Sequence, residues 1–419
     1  MDIILTPSPL FGAVDAIGSK SDIHRLLICA AMADSETEID GIFFSDDVFA
    51  TLSCINALGA RTVINGTSCT VYPIEKPPVS PKLDCGESGS TLRFILPVAG
   101  AICENAEFTG RGRLPERPIG ELVGAMRSGG VDFSSEKLPL KISGKLTPGT
   151  YKLPGNVSSQ YISGLLMALC AIDGRSEIVL TSKTESIGYI NMTVSTLNLF
   201  GADIKAEDGR FTVNGKGGLV SPKKLRADGD WSNAAFFLAA GAIGGDVEMF
   251  GLNKDSLQGD KKITEILRRF GAEVNESADR VHVKKGNIHG CEVDLSQIPD
   301  MLPALAVVAA FADGDTVFTG GARLRLKESD RLATVYKMIT DLGGSATEFE
   351  DGITVHGTAE GLRGGKVDGA NDHRIVMAAA TAAAYCKEEV TIRGFQAVNK
   401  SYPTFFEDMK KLGGKADVI

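Results

Sequence analysis

Positively charged side chains stand beside the points where apolar helices are expected to begin. Four lie in each half of the chain, namely Lys20, Arg25, Arg93 and Arg117, and then Lys327, Arg331, Arg374 and Lys400. The first N–H groups of an α-helix have no partner inside the helix and lie at its positive dipole end, so such a start attracts anions. Arg also binds phosphate and carboxylate groups through two parallel hydrogen bonds. The pattern therefore predicts a ligand that carries several negative charges.

The expected helix starts themselves carry hydroxyl or carboxyl side chains. These are Ser21, Ser90 and Ser159 in the first half, and Asp230, Asp300 and Asp372 in the second. Ser and Asp are among the commonest helix caps, so each residue taken singly is explained by capping. The whole set, together with its cations, favours phosphate chemistry.

Several other chemistries are disfavoured. The sequence has no G-x-x-x-x-G-K-[ST] segment and no kinase Gly-rich loop, which argues against nucleotide phosphoryl transfer. Its five His are dispersed and its eight Cys form no Cys-x-x-Cys pair, so no metal site is predicted and the thiols are expected to be reduced core residues.

Length and composition predict a two-domain protein with ordinary globular character. The chain has 419 residues, of which 43% are apolar and 23% charged. It has no apolar run long enough for a bilayer and no export signal at its start, so we expect a cytoplasmic address and no membrane partner. The net charge of −9 disfavours nucleic acid as a partner. We expect a monomer.

A helix-ending glycine recurs along the whole chain. The landmarks are Gly59, Gly129, Gly201, Gly271, Gly343 and Gly413, with successive spacings of 70, 72, 70, 72 and 70 residues. Glycine adopts the positive φ that closes a helix without a steric penalty. The period indicates six copies of one unit.

Each unit reads as βαβαββ, with one apolar and one amphipathic helix. Three units fill a domain, which gives an α/β protein of two domains. The sixth unit stops before its hairpin is complete, and the strand-like residues 3–5 are expected to fill that gap. We therefore predict one domain over 20–226 and a second over 1–19 and 227–419.

The motifs that carry these residues resemble those of the 5-enolpyruvylshikimate-3-phosphate synthase family. They are GSKS at 18–21, GESGSTLR at 86–93, ERPIG at 116–120, SSQ at 158–160, IPD at 298–300, KESDR at 327–331 and NDHR at 371–374. The resemblance covers the whole length. It implies two inside-out α/β domains, each of three βαβαββ repeats with pseudo-threefold symmetry.

The resemblance also implies a reaction and a set of ligand contacts. The enolpyruvyl group of phosphoenolpyruvate moves to the 5-hydroxyl of shikimate 3-phosphate and phosphate leaves, in the shikimate pathway to chorismate and aromatic amino acids, with no metal or organic cofactor. Shikimate 3-phosphate would be bound by Lys20, Ser21, Arg25, Ser158, Ser159, Gln160, Ser186, Asp300, Arg323 and Lys327. Phosphoenolpyruvate would be bound by Lys20, Gly89, Arg117, Gln160, Arg331, Arg374 and Lys400. At Arg323 this sequence departs from the family, which often has Asn.

The implied reaction needs one group to take the hydroxyl proton and another to protonate the methylene carbon. Asp300 is the candidate base and Glu328 the candidate acid, and Lys20 is able to share either task. The alternative is that Asp300 is a helix cap and Glu328 an ion-pair partner.

Two other functions compete with this interpretation. A UDP-N-acetylglucosamine enolpyruvyl transferase has the same repeats but typically carries a reactive Cys before its Arg-Pro motif, whereas residues 111–116 read RGRLPE. A non-catalytic binding module built from the repeats would not need acid, base and cationic groups gathered at helix starts.

Overall fold

The computed structural model describes residues 1–358 and 360–419, and these form 24 β-strands and 12 α-helices. The chain opens with β1 (Asp2–Thr6) and β2 (Phe11–Asp15). Residues 18–227 then form α1 (Lys20–Ala31), β3 (Thr37–Asp40), α2 (Asp46–Ala57), β4 (Arg61–Asn65), β5 (Ser68–Tyr72), β6 (Lys82–Asp84), α3 (Gly89–Ile102), β7 (Asn105–Thr109), α4 (Gly120–Ser128), β8 (Asp132–Phe133), β9 (Leu140–Ser143), β10 (Thr150–Leu153), α5 (Ser159–Cys170), β11 (Asp173–Leu180), α6 (Ile187–Leu199), β12 (Asp203–Glu207), β13 (Arg210–Lys216) and β14 (Lys224–Arg226).

The rest of the chain repeats this alternation. It forms α7 (Trp231–Ile243), β15 (Asp246–Phe250), α8 (Ile263–Phe270), β16 (Glu273–Glu276), β17 (Arg280–Lys284), β18 (Glu292–Asp294), α9 (Leu302–Ala310), β19 (Gly314–Thr319), α10 (Arg331–Asp341), β20 (Ser345–Phe349), β21 (Gly352–Gly357), β22 (Gly365–Asp368), α11 (His373–Ala383), β23 (Val390–Arg393), α12 (Phe405–Lys411) and β24 (Lys415–Val418). Short 3-10 helices lie at Leu114–Glu116, Gly259–Lys262, Pro299–Met301, Ala322–Leu326 and Phe395–Lys400.

The chain folds into two compact units. One consists of Met1–Ile17 and Asp228–Ile419, and the other of Gly18–Ala227. Across the described residues there are six four-stranded sheets, three in each unit. In the order β18-β19-β21-β20, for example, β18 and β19 are parallel and the other two pairs are antiparallel. The predicted βαβαββ repeat and the α/β class are therefore confirmed.

Strands from distant parts of the chain complete three of the sheets. β14 pairs in parallel with β3, and β2 pairs in parallel with β15. β1 lies between β23 and β24, antiparallel to both. In the preceding repeat that position belongs to β21, the second strand of a hairpin. The N-terminal strand thus supplies what the sixth repeat lacks.

Apolar helices form the centre of each unit. α7, α9 and α11 are buried along their whole lengths and pack against one another, and α1, α3 and α5 form the corresponding group in the other unit. A helix that is apolar on every side must be buried, whereas α8 buries only one face, through Ile263, Ile266, Leu267 and Phe270. None of the helices in the described part of the chain is long and apolar enough to cross a membrane.

The outer helices, which lie outside the two central groups, are α2, α4, α6, α8, α10 and α12. Positive-φ glycines follow them, as the 70-residue period predicts, with one difference. Gly59, Gly201 and Gly271 have φ values of 110°, 74° and 98°. In the second repeat Gly129 has an ordinary φ of −93°, and it is Gly130 that takes the positive value of 105°. The landmark in that repeat is therefore one residue later than the sequence suggested.

A glycine also allows the close approach of α3 and α5. A Cβ atom at Gly164 would overlap the carbonyl oxygen of Arg93 and would lie 3.0 Å from Cγ of Pro97. Both positions belong to buried helix surface, so the backbone has no room to yield. The packing of these two helices sets the spacing of their N-termini, where the cations lie.

We expect Gly164→Ala to lower the free energy of unfolding by about 1–3 kcal/mol, the usual cost of overpacking a core. Gly124→Ala is the matched control, since Gly124 is exposed on α4 with no atom within 4 Å of the added Cβ. That change should leave the protein as stable or more stable by about 0.5–1 kcal/mol, because Ala is the better helix former. Urea unfolding measures both, and equal effects would contradict the close approach.

Candidate functional site

Lys20 is the first residue of α1 and is held by a carboxylate. Its Nζ donates to Oδ2 of Asp47 at 2.7 Å, and the two side chains are 15% and 10% exposed. Asp47 is the second residue of α2, so the ion pair joins two helix N-termini. Ser21 follows in the first turn of α1, and its carbonyl accepts a hydrogen bond from Nη1 of Arg25.

Arg25 lies one turn further into α1 and is buried. Its Nε donates to Oγ1 of Thr193 at 2.8 Å, and its Nη2 donates to the carbonyl of Tyr189 at 2.9 Å. The guanidinium also lies over the ring of Phe94, 5.0 Å from its centroid. Burial lowers the pKa of Arg25 to about 10, so the residue keeps its charge at neutral pH.

The starts of α3 and α5 are joined by Gln160. Its Oε1 accepts from Nη1 of Arg93 at 3.0 Å, and its Nε2 donates to Oγ of Ser90 at 2.9 Å. Gly89, the first residue of α3, faces two guanidinium groups. A Cβ there would lie 2.5 Å from Nη1 of Arg117 and 2.6 Å from Nη1 of Arg93. Gly89 is not among the positive-φ glycines, so its requirement is for space.

A buried chain of hydroxyl groups fixes these helix starts. Thr91 Oγ1 is hydrogen bonded to Ser88, which caps α3, and to Thr51 of α2. Thr51 is in turn hydrogen bonded to Nδ1 of His24 in α1 at 2.7 Å. Three helices are thus held together next to Lys20 and Gly89.

The remaining predicted serines lie at the starts of α5 and α6. Ser158 caps α5 by accepting from the N–H of Gln160, and Ser159 is the first residue of that helix. Ser186 stands at the N-cap of α6 with φ 53° and ψ 42°, a left-handed conformation that non-glycine residues rarely adopt. Such strain persists where the surrounding structure enforces it, and it is frequent at functional sites.

Arg331 is the centre of the second group of side chains, in the unit of residues 228–419. Its side chain is 1% exposed, and it donates to Asp300 at 2.6 Å, to Glu328 at 2.6 Å and to Asp372 at 2.8 Å. Burial opposes the charge of Arg331, but Asp372, Glu328 and Asp300 outweigh that effect and raise its pKa.

Asp300 lies in the 3-10 helix before α9 and does not cap it. Its carboxylate instead contacts Arg331, Lys327 at 3.2 Å and Arg374 at 3.5 Å. Burial would raise the pKa of Asp300, but Lys327, Arg374 and Arg331 together hold that pKa well below its usual range. The helix-cap interpretation of Asp300 is therefore wrong, because three cations and no helix N–H engage its side chain.

Glu328 and Lys327 stand side by side before α10. The ion pair that the alternative interpretation expected for Glu328 is present, at 2.6 Å from Arg331. Lys327 is also half-buried, and desolvation, with a further contribution from Arg331, lowers its pKa despite the opposing effect of Asp300. The candidate acid and the candidate base are thus bound to the same guanidinium.

Three further cations complete this group. Arg374 Nη1 donates to the carbonyl of Asp300 at 3.3 Å, and Lys400 Nζ donates to the carbonyl of Asn371 at 2.7 Å. Arg323 Nη2 donates to the carbonyl of Ser296 at 2.8 Å, and its charge contributes to the lowered pKa of Lys327.

The second group gathers cations around three carboxylates. The cations are Arg323, Lys327, Arg331, Arg374 and Lys400, and the carboxylates that contact Arg331 are Asp300, Glu328 and Asp372. Cations gathered in this way suit an anionic ligand. No group of three or more His, Cys, Asp and Glu side chains that could hold a metal ion occurs in residues 1–358 and 360–419.

Two carboxylates form ion pairs that the sequence did not predict. Asp47 holds Lys20 from 27 positions away, and Asp372 holds Arg331 from 41 positions away. Asp372 also caps α11 by accepting from the N–H of Arg374 at 2.9 Å. In the sequence Asp47 stands just after the helix cap Ser45, and Asp372 is itself a helix cap. A cap signature does not reveal the ion pair.

Comparison with known proteins agrees with this arrangement. A family model described as EPSP synthase (3-phosphoshikimate 1-carboxyvinyltransferase) matches residues 4–409. A 3-phosphoshikimate 1-carboxyvinyltransferase of Clostridium novyi is 39% identical, over 99% of this chain and 98% of that protein. One of Clostridium acetobutylicum is 40% identical, over 98% and 97%. A solved structure of EPSP synthase from Acinetobacter baumannii is 26% identical, with a TM-score of 0.82 over 100% of both chains.

The chain belongs to the EPSP synthase family. The expected fold of two inside-out α/β domains is confirmed, and so is the expected transfer of an enolpyruvyl group in the shikimate pathway. UDP-N-acetylglucosamine as acceptor and a non-catalytic module are not favoured.

The low pKa of Asp300 predicts how its contribution to stability depends on pH. A carboxyl whose pKa is depressed in the folded state stabilises the fold fully above its unfolded pKa, near 4, and loses that effect only as pH falls through the folded pKa. Asp300→Asn should cost about 3 kcal/mol, since it leaves buried cations less compensated. The cost should be constant from about pH 5 to pH 8 and should shrink below about pH 4.

Urea unfolding of the two proteins at a series of pH values measures this cost. Glu136→Gln serves as the control, because Glu136 pairs with Arg127 at an exposed site and should matter by less than about 0.5 kcal/mol throughout. A cost for Asp300→Asn that changes between pH 5 and pH 8 would show that its pKa is not depressed.

Proposed function

We propose that the two groups of side chains bind the two substrates of the family reaction. Shikimate 3-phosphate is assigned to Lys20, Ser21, Arg25, Ser158, Ser159, Gln160, Ser186, Asp300, Arg323 and Lys327. Phosphoenolpyruvate is assigned to Lys20, Gly89, Arg117, Gln160, Arg331, Arg374 and Lys400. Each substrate carries a phosphate and a carboxylate, so cationic groups of this kind match their charge.

The observation that carries the proposal is the shared position of Asp300 and Glu328 on Arg331. Asp300 is proposed to take the proton of the 5-hydroxyl, and Glu328 to protonate the methylene carbon of phosphoenolpyruvate. The 5-oxygen bonds to C2 of phosphoenolpyruvate to give the tetrahedral adduct. The C2–O bond to phosphate then breaks, the leaving phosphate takes up the proton released from the 5-hydroxyl, and one methyl proton returns to the Glu328 carboxylate as the double bond forms again. Lys20 is proposed to assist one of these transfers, with its ammonium held in place by Asp47.

Substrate binding itself would adjust these groups. A carboxylate with a depressed pKa is a weak base, and a carboxyl paired with a guanidinium is a poor acid. When an anion binds to Arg331, Arg374 and Lys327, it offsets the positive charge around Asp300 and competes with Glu328 for Arg331. The first change brings the pKa of Asp300 back toward its usual range, which suits it to accept a proton, and the second frees the carboxyl of Glu328 from Arg331 so that it can act on the methylene carbon.

The organisation that accompanies this function is also part of the proposal. Residues 20–226 are assigned mainly to shikimate 3-phosphate, and residues 1–19 and 227–419 to the acid, the base and the phosphoenolpyruvate cations. We further propose a cytoplasmic monomer that uses no metal or organic cofactor.

Release of inorganic phosphate from phosphoenolpyruvate tests the function directly. The purified protein should release phosphate only when shikimate 3-phosphate is added, and should form an enolpyruvyl ether of that acceptor. Replacing the acceptor with UDP-N-acetylglucosamine should give no release. Activity with the second acceptor alone, or with neither, would contradict the proposal.

Asp300→Asn should lower turnover by about a hundredfold or more, the low end for loss of a general base. Binding of shikimate 3-phosphate should remain within about tenfold of the original, since its remaining contacts are kept. Steady-state kinetics measures both values. Asp315→Asn is the control, because Asp315 is an exposed carboxylate of the same unit that pairs with His356. Near-normal turnover of Asp300→Asn would show that Asp300 is not the base of the reaction.

Gly89→Ala should raise KM for phosphoenolpyruvate by about tenfold, because the added Cβ pushes the guanidinium of Arg117 away from the start of α3. The atoms that the added Cβ meets belong to the ends of long side chains and not to the backbone, so the melting temperature should change little. The matched control is Gly120→Ala, at the first residue of α4, where the nearest atom is 3.7 Å from the added Cβ. A lower melting temperature with an unchanged KM would mean that Gly89 serves only packing.

A further inference from the structure

Asn233 and Ser401 form a buried polar pair in the unit of residues 228–419. Asn233 Nδ2 donates to Oγ of Ser401 at 3.0 Å, and the two residues are 1% and 2% exposed. Asn233 lies in the first turn of α7, and its backbone N–H is fixed by Oδ1 of Asp230 at 2.8 Å. Ser401 directly follows Lys400, the last residue of the 3-10 helix Phe395–Lys400.

The residues after Lys400 are anchored to the same helix by aromatic packing. Phe405 stacks on Phe237 of α7 with ring centroids 5.0 Å apart, and Tyr402 meets Phe237 edge-on at 6.1 Å. The hydroxyl of Tyr402 donates to Oδ2 of Asp408 at 2.9 Å. The segment that carries Lys400 is therefore attached to α7 by apolar rings at 402 and 405 and by a polar contact at 401.

Lys400 is fixed through its side chain and through its backbone. Its Nζ donates to the carbonyl of Asn371, and its backbone continues into Ser401, which is hydrogen bonded to Asn233. Asn371 and Ala370 both take left-handed conformations, with φ values of 51° and 50°. Two such residues in a row are strained, so the rest of the structure must enforce the direction of that carbonyl.

The polar nature of the Asn233 and Ser401 pair is not explained by stability. Apart from Ser232, which is hydrogen bonded to Asp260, the remaining residues of α7 are apolar, and an apolar pair of similar size would avoid the desolvation that buried amide and hydroxyl groups incur. A directional hydrogen bond, unlike apolar packing, fixes the position of one atom with respect to another. We therefore expect the pair to fix the position of the segment around Lys400 relative to α7.

We propose that Asn233 is a positioning residue, which sets the place of the Lys400 ammonium through Ser401. The inference rests on the proposed function, in which Lys400 binds phosphoenolpyruvate. Among the six buried helices, α7 is the one at whose start no substrate contact was assigned, and holding Lys400 gives that start a role.

Ser401→Ala, Asn233→Ala and the double variant test this by steady-state kinetics. Each should raise KM for phosphoenolpyruvate by about three- to tenfold, the value of one neutral hydrogen bond, with kcat and KM for shikimate 3-phosphate within about twofold. The double variant should be no worse than either single variant, because both remove the same bond. Ser401→Thr keeps the hydroxyl and should retain the original KM.

Ser221→Ala is the control for loss of a buried hydroxyl contact, since Ser221 and Thr37 are 2.8 Å apart in the other unit. It should change the melting temperature and leave KM for phosphoenolpyruvate unchanged. If Asn233→Ala does not fold, Ser401→Ala and Ser401→Thr alone decide. Unchanged KM in Ser401→Ala, or additive effects in the double variant, would overturn the inference. An inactive unmodified protein would instead contradict the proposed function.

Discussion

The buried guanidinium of Arg331 is the group on which the rest of the second site depends. A charge with 1% exposure must be compensated, and three carboxylates do so at 2.6–2.8 Å. Two of those carboxylates are the candidate base and the candidate acid, so the compensation of one cation also keeps two reactive groups in place. Because removing one partner of a buried ion pair costs several kcal/mol, none of the four is replaceable without consequence.

The repeat architecture explains why such groups meet at all. Three apolar helices pack at the centre of each unit, and Lys20 of α1, Arg93 of α3 and Arg374 of α11 lie at or near their starts. Arg331 instead begins α10, which packs beside α9 and α11. Where two of these helices approach closely, as at Gly164, the distance between their first turns is set by backbone contact. Hydrogen bonds then join neighbouring helices near their starts, from Thr51 of α2 to Thr91 of α3 and from Gln160 of α5 to Ser90 of α3.

Much of this arrangement follows from local sequence signals, and some of it does not. Apolar helices and the glycines that end the outer ones have a strong local cause, so their period predicted the repeats and the fold class. The partners of Lys20 and Arg331 have no such local signal. Asp47 and Asp372 look like ordinary helix-start residues in the sequence, and only the packed helices bring them to the cations. From the sequence Asp300 could be a cap or a base, because either would be an Asp before an apolar run. Its place in the 3-10 turn Pro299–Met301 and its contacts with three cations show that it is not a cap.

The central claim is that Arg331 holds two reactive carboxyl groups, Asp300 as the base and Glu328 as the acid. Steady-state kinetics of Glu328→Gln with phosphoenolpyruvate and shikimate 3-phosphate tests this claim most directly. The amide keeps the shape of the side chain but has no carboxyl proton to give to the methylene carbon, so turnover should fall by about a hundredfold or more. Turnover close to that of the original protein would contradict the account.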